Sequence, residues 1–156
     1  MSSDIATEVG PAVQAYQASV SDFDREVARI LGVGATDLAC LELVLGADGV
    51  SPRDVATALG LTTGSVTTMV DRLEKRGYVT RHPHPDDGRK VLVRATPRLT
   101  ERVGAAMGPM LASAGADVLE RFTDDELAAV VRFMRVAAAH QAAHTVLLRA
   151  EPPAVD

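Results

Sequence analysis

Residues 61–96 read LTTGSVTTMVDRLEKRGYVTRHPHPDDGRKVLVRAT, and this stretch decides the fold. Its first part repeats apolar residues at helical spacing: Val66, Val70 and Leu73. Thr62 or Thr63 supplies a hydroxyl that can cap the free backbone N–H groups at a helix start. Gly77 favours the left-handed conformation in which many helices end. The pattern therefore predicts a helix that ends just before Gly77.

The second part of the stretch predicts a β-hairpin. Residues 78–81 are β-prone, and residues 90–96 alternate apolar and polar side chains, as a strand with one buried face does. Residues 82–88, HPHPDDG, contain prolines, acids and a glycine, which we expect to form an exposed loop and not to continue either strand. This basic-tipped hairpin is called the wing below.

Two further helices are predicted before residue 61. Residues 51–54, SPRD, combine an N-cap hydroxyl, a proline at the first helical position and an acid in the first turn, and Gly60 ends that helix. An earlier helix covers about residues 37–45, with Thr36 as its N-cap. The helix that opens at Ser51 and the one that follows Leu61 are joined by a tight turn. Together they are typical of a helix-turn-helix.

Long helices flank this lobe. The first carries one apolar seam: Ile5, Val9, Val13, Tyr16, Val20, Phe23, Val27 and Ile30. Pro11 fits best in a first turn, so we expect the ordered helix to start near residue 10. Another helix follows from Pro97, and Thr123 with Glu126 forms a capping box that opens the last helix. We predict a mainly α fold with a small β-hairpin wing, that is, a winged helix-turn-helix domain plus long terminal helices.

The composition excludes several classes of protein. The chain has 156 residues, 3% of them aromatic and none of them Trp, so its core must consist of Ala, Leu and Val. It has neither a long apolar run nor a basic start followed by an apolar block, so we expect no membrane span, no signal peptide and a cytoplasmic location. Cys40 is the single cysteine, which excludes an internal disulfide and a multi-cysteine zinc module.

The charge is distributed unevenly. The chain carries a net charge of −5, yet the segment from Leu61 to Arg98 holds eight basic residues against four acids, a local charge of +4. A basic segment within an acidic chain is typical of a surface that meets a polyanion. A solvated face of mixed charge is the alternative.

Double-stranded DNA is the partner that the helix after Leu61 favours. With its apolar stripe buried, its outer face carries Gly64, Thr68, Asp71 and Lys75, flanked by Ser65, Thr67 and Arg72. Short hydroxyl side chains at a helix start can enter the major groove and hydrogen-bond to base edges. Asp71 would be repelled by phosphates unless Arg72 or Lys75 neutralises it or a cytosine amino group donates to it.

The wing predicts a second DNA contact. Arg89 and Lys90 are long cations near the hairpin tip, where they can enter the minor groove and its negative potential. Asp87 can hold the guanidinium of Arg89 in a fixed pose. Each feature also has a simpler interpretation, because a Thr-rich helix start can be only a cap and a basic hairpin only a solvated turn.

These residues resemble the MarR family of bacterial transcriptional regulators. The similar blocks are S-P-x-D-V-A-x-x-L-G at residues 51–60, L-T-x-x-x-V-T-x-M-V-D-R-L-E-K-R-G-Y-V-x-R at 61–81 and D-x-R-x-x-x-V-x-x-T at 87–96. Gly88 departs from the family pattern, which usually has an arginine there. Ala95 and Leu99 replace a usual leucine and glycine.

The resemblance implies a homodimeric repressor that binds a pseudo-palindromic operator. It implies a single domain over residues 1–156, with residues 36–96 as the DNA-binding lobe and residues 11–31 and 98–148 as dimerisation helices. The implied DNA-binding residues, with their exposed neighbours, are Thr62, Thr63, Gly64, Ser65, Thr67, Thr68, Arg72, Lys75, Asp87, Arg89 and Lys90. It also implies release by a small-molecule effector, phenolic or anionic, with no cofactor.

Weaker motifs leave other functions open. Cys40 is a redox switch only if it is exposed, whereas its apolar neighbours favour a buried core residue. His140 and His144 could share a metal, but they lack a third ligand at suitable spacing, so we expect no metal site. No phosphate loop or catalytic motif is present, so we expect no enzyme. A winged-helix adaptor that binds proteins without sequence-specific DNA binding is the alternative function.

Overall fold

The computed structural model describes residues 3–152, apart from the side chains of Ser3, Asp4 and Arg89. The elements in chain order are α1 (Ser3–Leu31), α2 (Ala35–Leu45), α3 (Pro52–Leu59), α4 (Thr63–Lys75), β1 (Val79–His84), β2 (Asp87–Ala95), α5 (Pro97–Asp117), a short 3-10 helix (Leu119–Arg121) and α6 (Asp124–Ala150). The predicted fold class, mainly α with a small β-hairpin wing, is confirmed.

The helix-turn-helix is set by its caps. Ser51 Oγ accepts from the backbone N–H of Asp54 at 3.1 Å and so opens α3. Gly60 ends α3 with φ +65°, a conformation that glycine adopts without strain. Thr62 Oγ1 accepts from the N–H of Ser65 at 3.2 Å and opens α4. The predicted turn between the two helices is confirmed.

The end of α4 anchors α1 to the lobe. Gly77 has φ +74°, its N–H donates to Glu74 O at 2.9 Å, and the N–H of Tyr78 donates to Leu73 O at 3.1 Å. These are the two bonds of a Schellman cap, so the predicted role of Gly77 is confirmed. The cap directs the buried Tyr78 ring inward, where its hydroxyl donates to Leu31 O at 2.8 Å.

The hairpin is longer than expected. β1 continues through Pro83 to His84, and β2 begins at Asp87. Pro83 pairs with Val91, and the register shifts just after it. The expectation that residues 82–88 cannot continue a strand is therefore wrong. In a two-stranded sheet each strand is an edge, where a proline does not interrupt a ladder on its outer side.

A β-bridge attaches the hairpin to the segment before α3. The N–H of Val50 donates to Val93 O at 3.0 Å, and the N–H of Val93 donates back to Val50 O at 2.8 Å. Val93 is fully buried between these partners. The wing is thus held at its base by the same core that supports α3 and α4.

Two helix starts differ from the sequence prediction. α1 begins at Ser3 and contains Pro11. The proline ring removes one backbone N–H donor but keeps a helical φ, so the turns on either side of Pro11 retain their own backbone hydrogen bonds. α2 begins at Ala35 with Gly34, and not Thr36, as its N-cap. Asp37 consequently lies in the first turn, where the helix dipole favours an acid.

The core is confined to one part of the chain. All buried residues among those described lie between Val27 and Leu99, and none belongs to α6. The chain divides into two compact units, of which one ends at Pro109 and the other begins at Met110. No helix within residues 3–152 is long and apolar enough to cross a membrane.

Candidate nucleic-acid interface

The outer surface of α4 carries the residues expected to contact DNA. The exposed positions include all eight that the sequence singled out on or next to this helix: Thr62, Thr63, Gly64, Ser65, Thr67, Thr68, Arg72 and Lys75. The predicted stripe of Val66, Val70 and Leu73 is buried, and Met69 is buried with it. Burial of that stripe is what turns the hydroxyl-rich side outward.

Hydrogen bonds within the helix orient the hydroxyl groups. Thr67 Oγ1 donates to Thr63 O at 2.9 Å, and Thr68 Oγ1 donates to Gly64 O at 3.2 Å. Each hydroxyl thereby uses its proton inside the helix and presents its oxygen lone pairs outward. Such oxygens can accept from base amino groups in a major groove.

An ion-pair network neutralises the acids of α4. Arg81, at the start of the wing, donates from Nη2 to Asp71 Oδ1 at 2.5 Å and from Nη1 to Glu74. Burial alone would lower the pKa of Arg81, but its bonds and charge contacts with the two acids raise it above the ordinary arginine value. Arg81 therefore removes the repulsion expected at Asp71, a role that the sequence suggested for Arg72 or Lys75.

Arg72 has a different partner. Its Nε donates to Asp37 Oδ2 at 2.9 Å and its Nη2 donates to Asp37 Oδ1 at 2.5 Å. These bonds, and next the charge of Asp37, raise the pKa of Arg72. Half of the Arg72 side chain, 49%, is exposed, against 6% for Asp37. The second helix of the helix-turn-helix, α4, which is called the recognition helix below, is thus tied to the first turn of α2.

The wing presents its charges at the tip. Lys90 Nζ lies 3.5 Å from Asp87 Oδ2, and Lys90 is exposed. The side chain of Arg89 lies outside the described part of the chain, so the suggested contact between Asp87 and Arg89 stays a prediction. A Cβ at Gly88 would meet no atom within 4 Å, so the arginine that the family usually has at this position would fit here without a steric clash.

The other candidate sites lack the features that their chemistry needs. Cys40 is fully buried, as predicted, and burial followed by the charge of Asp37 raises its pKa to about 11, so the reactive thiolate is scarce at neutral pH. The rings of His140 and His144 lie on α6 with their centroids 4.2 Å apart and their planes tilted by 45°, and both residues are exposed. Within the described residues no group of three or more potential ligands could hold a metal.

A groove between α1 and α2 was not found by sequence reasoning. It encloses about 540 Å³, and its lining includes Asp24, Arg25, Arg29, Leu38, Ala39 and Glu42. Burial, and then the negative charge of Asp24, raises the pKa of Glu42. Residues on two separate helices form the groove, so no local motif announces it.

Comparison with known proteins identifies the family. A model of the MarR family matches residues 31–90. The HTH-type transcriptional regulator YcgE of Bacillus subtilis is 33% identical over 116 residues, which are 74% of this chain and 75% of that protein. The chain belongs to the MarR family. The multiple antibiotic resistance protein MarR of Salmonella typhimurium is 36% identical over 67 residues, 43% of this chain and 46% of that protein.

Solved structures agree on the fold. A MarR family protein from Bacillus stearothermophilus has a TM-score of 0.67 at 18% identity, covering 91% of this chain and 99% of that one. Wild-type MarR of Escherichia coli has a TM-score of 0.57 at 23% identity, covering 82% and 95%. The predictions of a MarR-type winged helix and of a transcriptional regulator are confirmed. The MarR family consists of transcriptional regulators and not of enzymes.

Proposed function

We propose that this MarR-family regulator is a homodimeric, cytoplasmic repressor that binds a pseudo-palindromic operator and is released by a small molecule. The observation that carries the proposal is the exposed, hydroxyl-rich surface of α4, whose acids are already paired with Arg81. That surface would read base edges in the major groove. The residues proposed there are Thr62, Thr63, Gly64, Ser65, Thr67, Thr68, Arg72 and Lys75.

The wing supplies the second contact in this proposal. Asp87, Arg89 and Lys90 would lie in or beside the adjacent minor groove, where cations are favoured. With one arginine where the family usually has two, the wing would neutralise fewer phosphates. We therefore expect a shallower salt dependence of binding than a two-arginine wing would give.

A second copy of the chain is the proposed partner of the terminal helices. In a single chain α1 leaves Ile5 66% exposed and Tyr16 61% exposed, and α6 leaves Leu148 72% exposed. Large apolar surfaces of this kind mark association sites. We assign residues 11–31 and 98–148 to dimerisation and residues 36–96 to DNA binding, within one domain over residues 1–156.

The α1–α2 groove is the proposed effector site. Leu38 and Ala39 line it on one side of α2, whereas Asp37 on another side of α2 contacts the recognition helix. A ligand that prefers one placement of α2 would thereby shift the placement of α4. Of phenolic and anionic ligands, we favour a phenol, because its hydroxyl can donate to Glu42, whereas the two arginines of the groove, Arg25 and Arg29, already pair with Asp22 and Glu26 and are less available to an anion.

Selection from a pool of randomised duplexes tests the DNA function directly. We expect enrichment of a sequence with two half-sites related by a dyad, and an affinity for it that falls steeply with added salt. Failure to bind any duplex at low salt would reject the proposal and favour the protein-binding adaptor. The matched comparison is a variant with Thr67 and Thr68 both changed to Ala. It should retain its fold and lose its preference for the enriched sequence.

A further inference from the structure

Asp37 is the one buried charged residue in the part of the chain that the structure describes. It is 5% exposed and lies in the first turn of α2, where the Gly34 N-cap contributes no side-chain hydrogen bond. Its carboxylate meets the guanidinium of Arg72, which lies 35 positions later on the recognition helix. Burying a carboxylate is costly unless it is paired, so this pair is a specific arrangement of two distant segments.

The pair uses only one edge of the guanidinium. Asp37 accepts from Nε and from one N–H of Nη2. The adjacent, end-on edge, formed by Nη1 and the second N–H of Nη2, has no protein partner within the described residues. Because the guanidinium is planar and rigid, fixing one edge also fixes the direction of the other. That free edge has the donor spacing that matches guanine O6 and N7.

The surroundings of Arg72 belong to the DNA-reading surface. Arg72 shares a shallow concavity with Thr68, Asp71 and Lys75, which all lie on the outer side of α4. Since Arg81 already pairs with Asp71, that acid does not compete for Arg72. Asp37 is therefore the partner that sets the pose of the arginine on this surface.

We propose that Asp37 is a positioning residue for DNA reading, which presents the free edge of Arg72 to a guanine in each half-site. This inference rests on the proposed operator binding. The Asp37–Arg72 pair is close to neutral as a unit, so it releases few counterions and adds little to sequence-independent affinity. Its contribution is to discrimination between sequences.

The test compares Asp37→Asn with wild type on the selected duplex and on an unrelated duplex. Loss of the carboxylate frees Arg72 to pair with any phosphate. We expect the ratio of the two affinities to fall by about tenfold, the low end for one bidentate base contact. We also expect the salt slope on the unrelated duplex to steepen by about 0.9, as for one added phosphate contact. An unchanged ratio overturns the proposal.

Two further variants separate positioning from folding. Asp48→Asn removes the same charge from a 95% exposed side chain and should leave the ratio unchanged. Arg72→Lys keeps the charge but cannot pair along two edges, and we expect it to lose the same guanine preference in a repeated selection. If Asp37→Asn weakens binding to both duplexes equally, its role is structural and the proposal is wrong.

A double-variant cycle tests whether Asp37 acts through Arg72. In an Arg72→Gln background, Asp37→Asn should no longer change the affinity ratio, because the group that it positions is gone. An effect of Asp37→Asn that persists in that background overturns the proposal. These measurements need a duplex obtained by selection, so a selection that enriches no sequence rejects operator binding itself. If a sequence is enriched and the Asp37→Asn protein keeps the wild-type preference for guanine, only the positioning role is rejected.

Discussion

The lobe between Val27 and Leu99 and the helices that flank it expose opposite kinds of surface. The lobe buries most of its large apolar residues and exposes hydroxyls and charges on α4 and the wing. The flanking helices leave large apolar side chains in solvent along α1 and α6, such as Val9, Tyr16, Phe133 and Leu147. One region has completed its core within the chain, and the other has not.

The two kinds of surface are suited to different partners. Polar groups on a rigid, self-contained lobe are available to a polar ligand such as DNA. Apolar groups on long helices have a favourable free energy only when another apolar surface covers them. Stability of the lobe and assembly of the chain are therefore expected to respond to different substitutions.

The largest effect is expected from a charge placed in the exposed apolar seam. Val20→Asp puts a carboxylate where a second copy is proposed to pack, and burying it unpaired costs about 3–5 kcal/mol. We expect a change from dimer to monomer, measured by light scattering after size exclusion, and loss of operator binding with it. Ala18→Asp adds the same charge on the opposite side of α1 and should stay dimeric. A dimeric Val20→Asp protein would contradict the placement of the interface.

A core substitution tests the other side of the comparison. Leu41 is fully buried, so Leu41→Ala should lower the free energy of unfolding of the lobe by about 2–5 kcal/mol through lost burial and a cavity. Chemical denaturation followed by circular dichroism measures this. Leu147→Ala, at a site 63% exposed in the single chain, should leave the unfolding of the lobe unchanged. Equal effects of the two substitutions would mean that the two regions share one core.

The polar surface of the lobe is tested at the wing. Arg89→Ala should weaken operator binding by about 1–3 kcal/mol if this residue makes one groove contact of ordinary size. A fluorescence anisotropy titration at fixed salt measures the change. Arg149→Ala removes an exposed arginine from the last turn of α6, outside the residues assigned to dimerisation, and serves as the control. An unchanged isotherm for Arg89→Ala would remove this residue from the interface.

The smallest effect is expected at the start of α6. Thr123 Oγ1 accepts from the N–H of Glu126, and the Glu126 carboxylate accepts from the backbone N–H of Thr123. Thr123→Ala should destabilise this helix end by about 1 kcal/mol, seen as faster amide exchange in its first turn. Thr145→Ala removes a hydroxyl from mid-helix and should not change that exchange.

This effect should also depend on pH. The backbone bond from Thr123, and next its side-chain bond, lower the pKa of Glu126 below its ordinary value of 4.5. A carboxyl whose pKa is lowered on folding stabilises the folded state above the unfolded pKa and loses this contribution as the pH falls through the folded pKa. The difference between wild type and Thr123→Ala should therefore shrink below pH 4.5. Because Thr123→Ala keeps the backbone bond to Glu126 and removes only the side-chain bond, a difference that stays constant with pH would show that the side-chain bond does not contribute.

Local signals predicted the elements that local bonds make. The caps at Ser51, Thr62 and Thr123 and the left-handed Gly77 lie where their sequence motifs placed them, because each bond joins residues a few positions apart. The signals failed where the outcome depended on other segments. The strands extend into residues 82–88, since an edge position tolerates a proline.

The sequence by itself determined the order of helices and hairpin, the buried stripe of α4 and the family, because hydrophobic periodicity and capping act over one or two turns. Only the tertiary structure decided which charges meet. Asp37 joins Arg72, and Arg81 joins Asp71, across separations of 35 and 10 residues. Charge pairing depends on distances of a few ångströms, and those distances exist only after α2, α4 and β1 have packed on the common core.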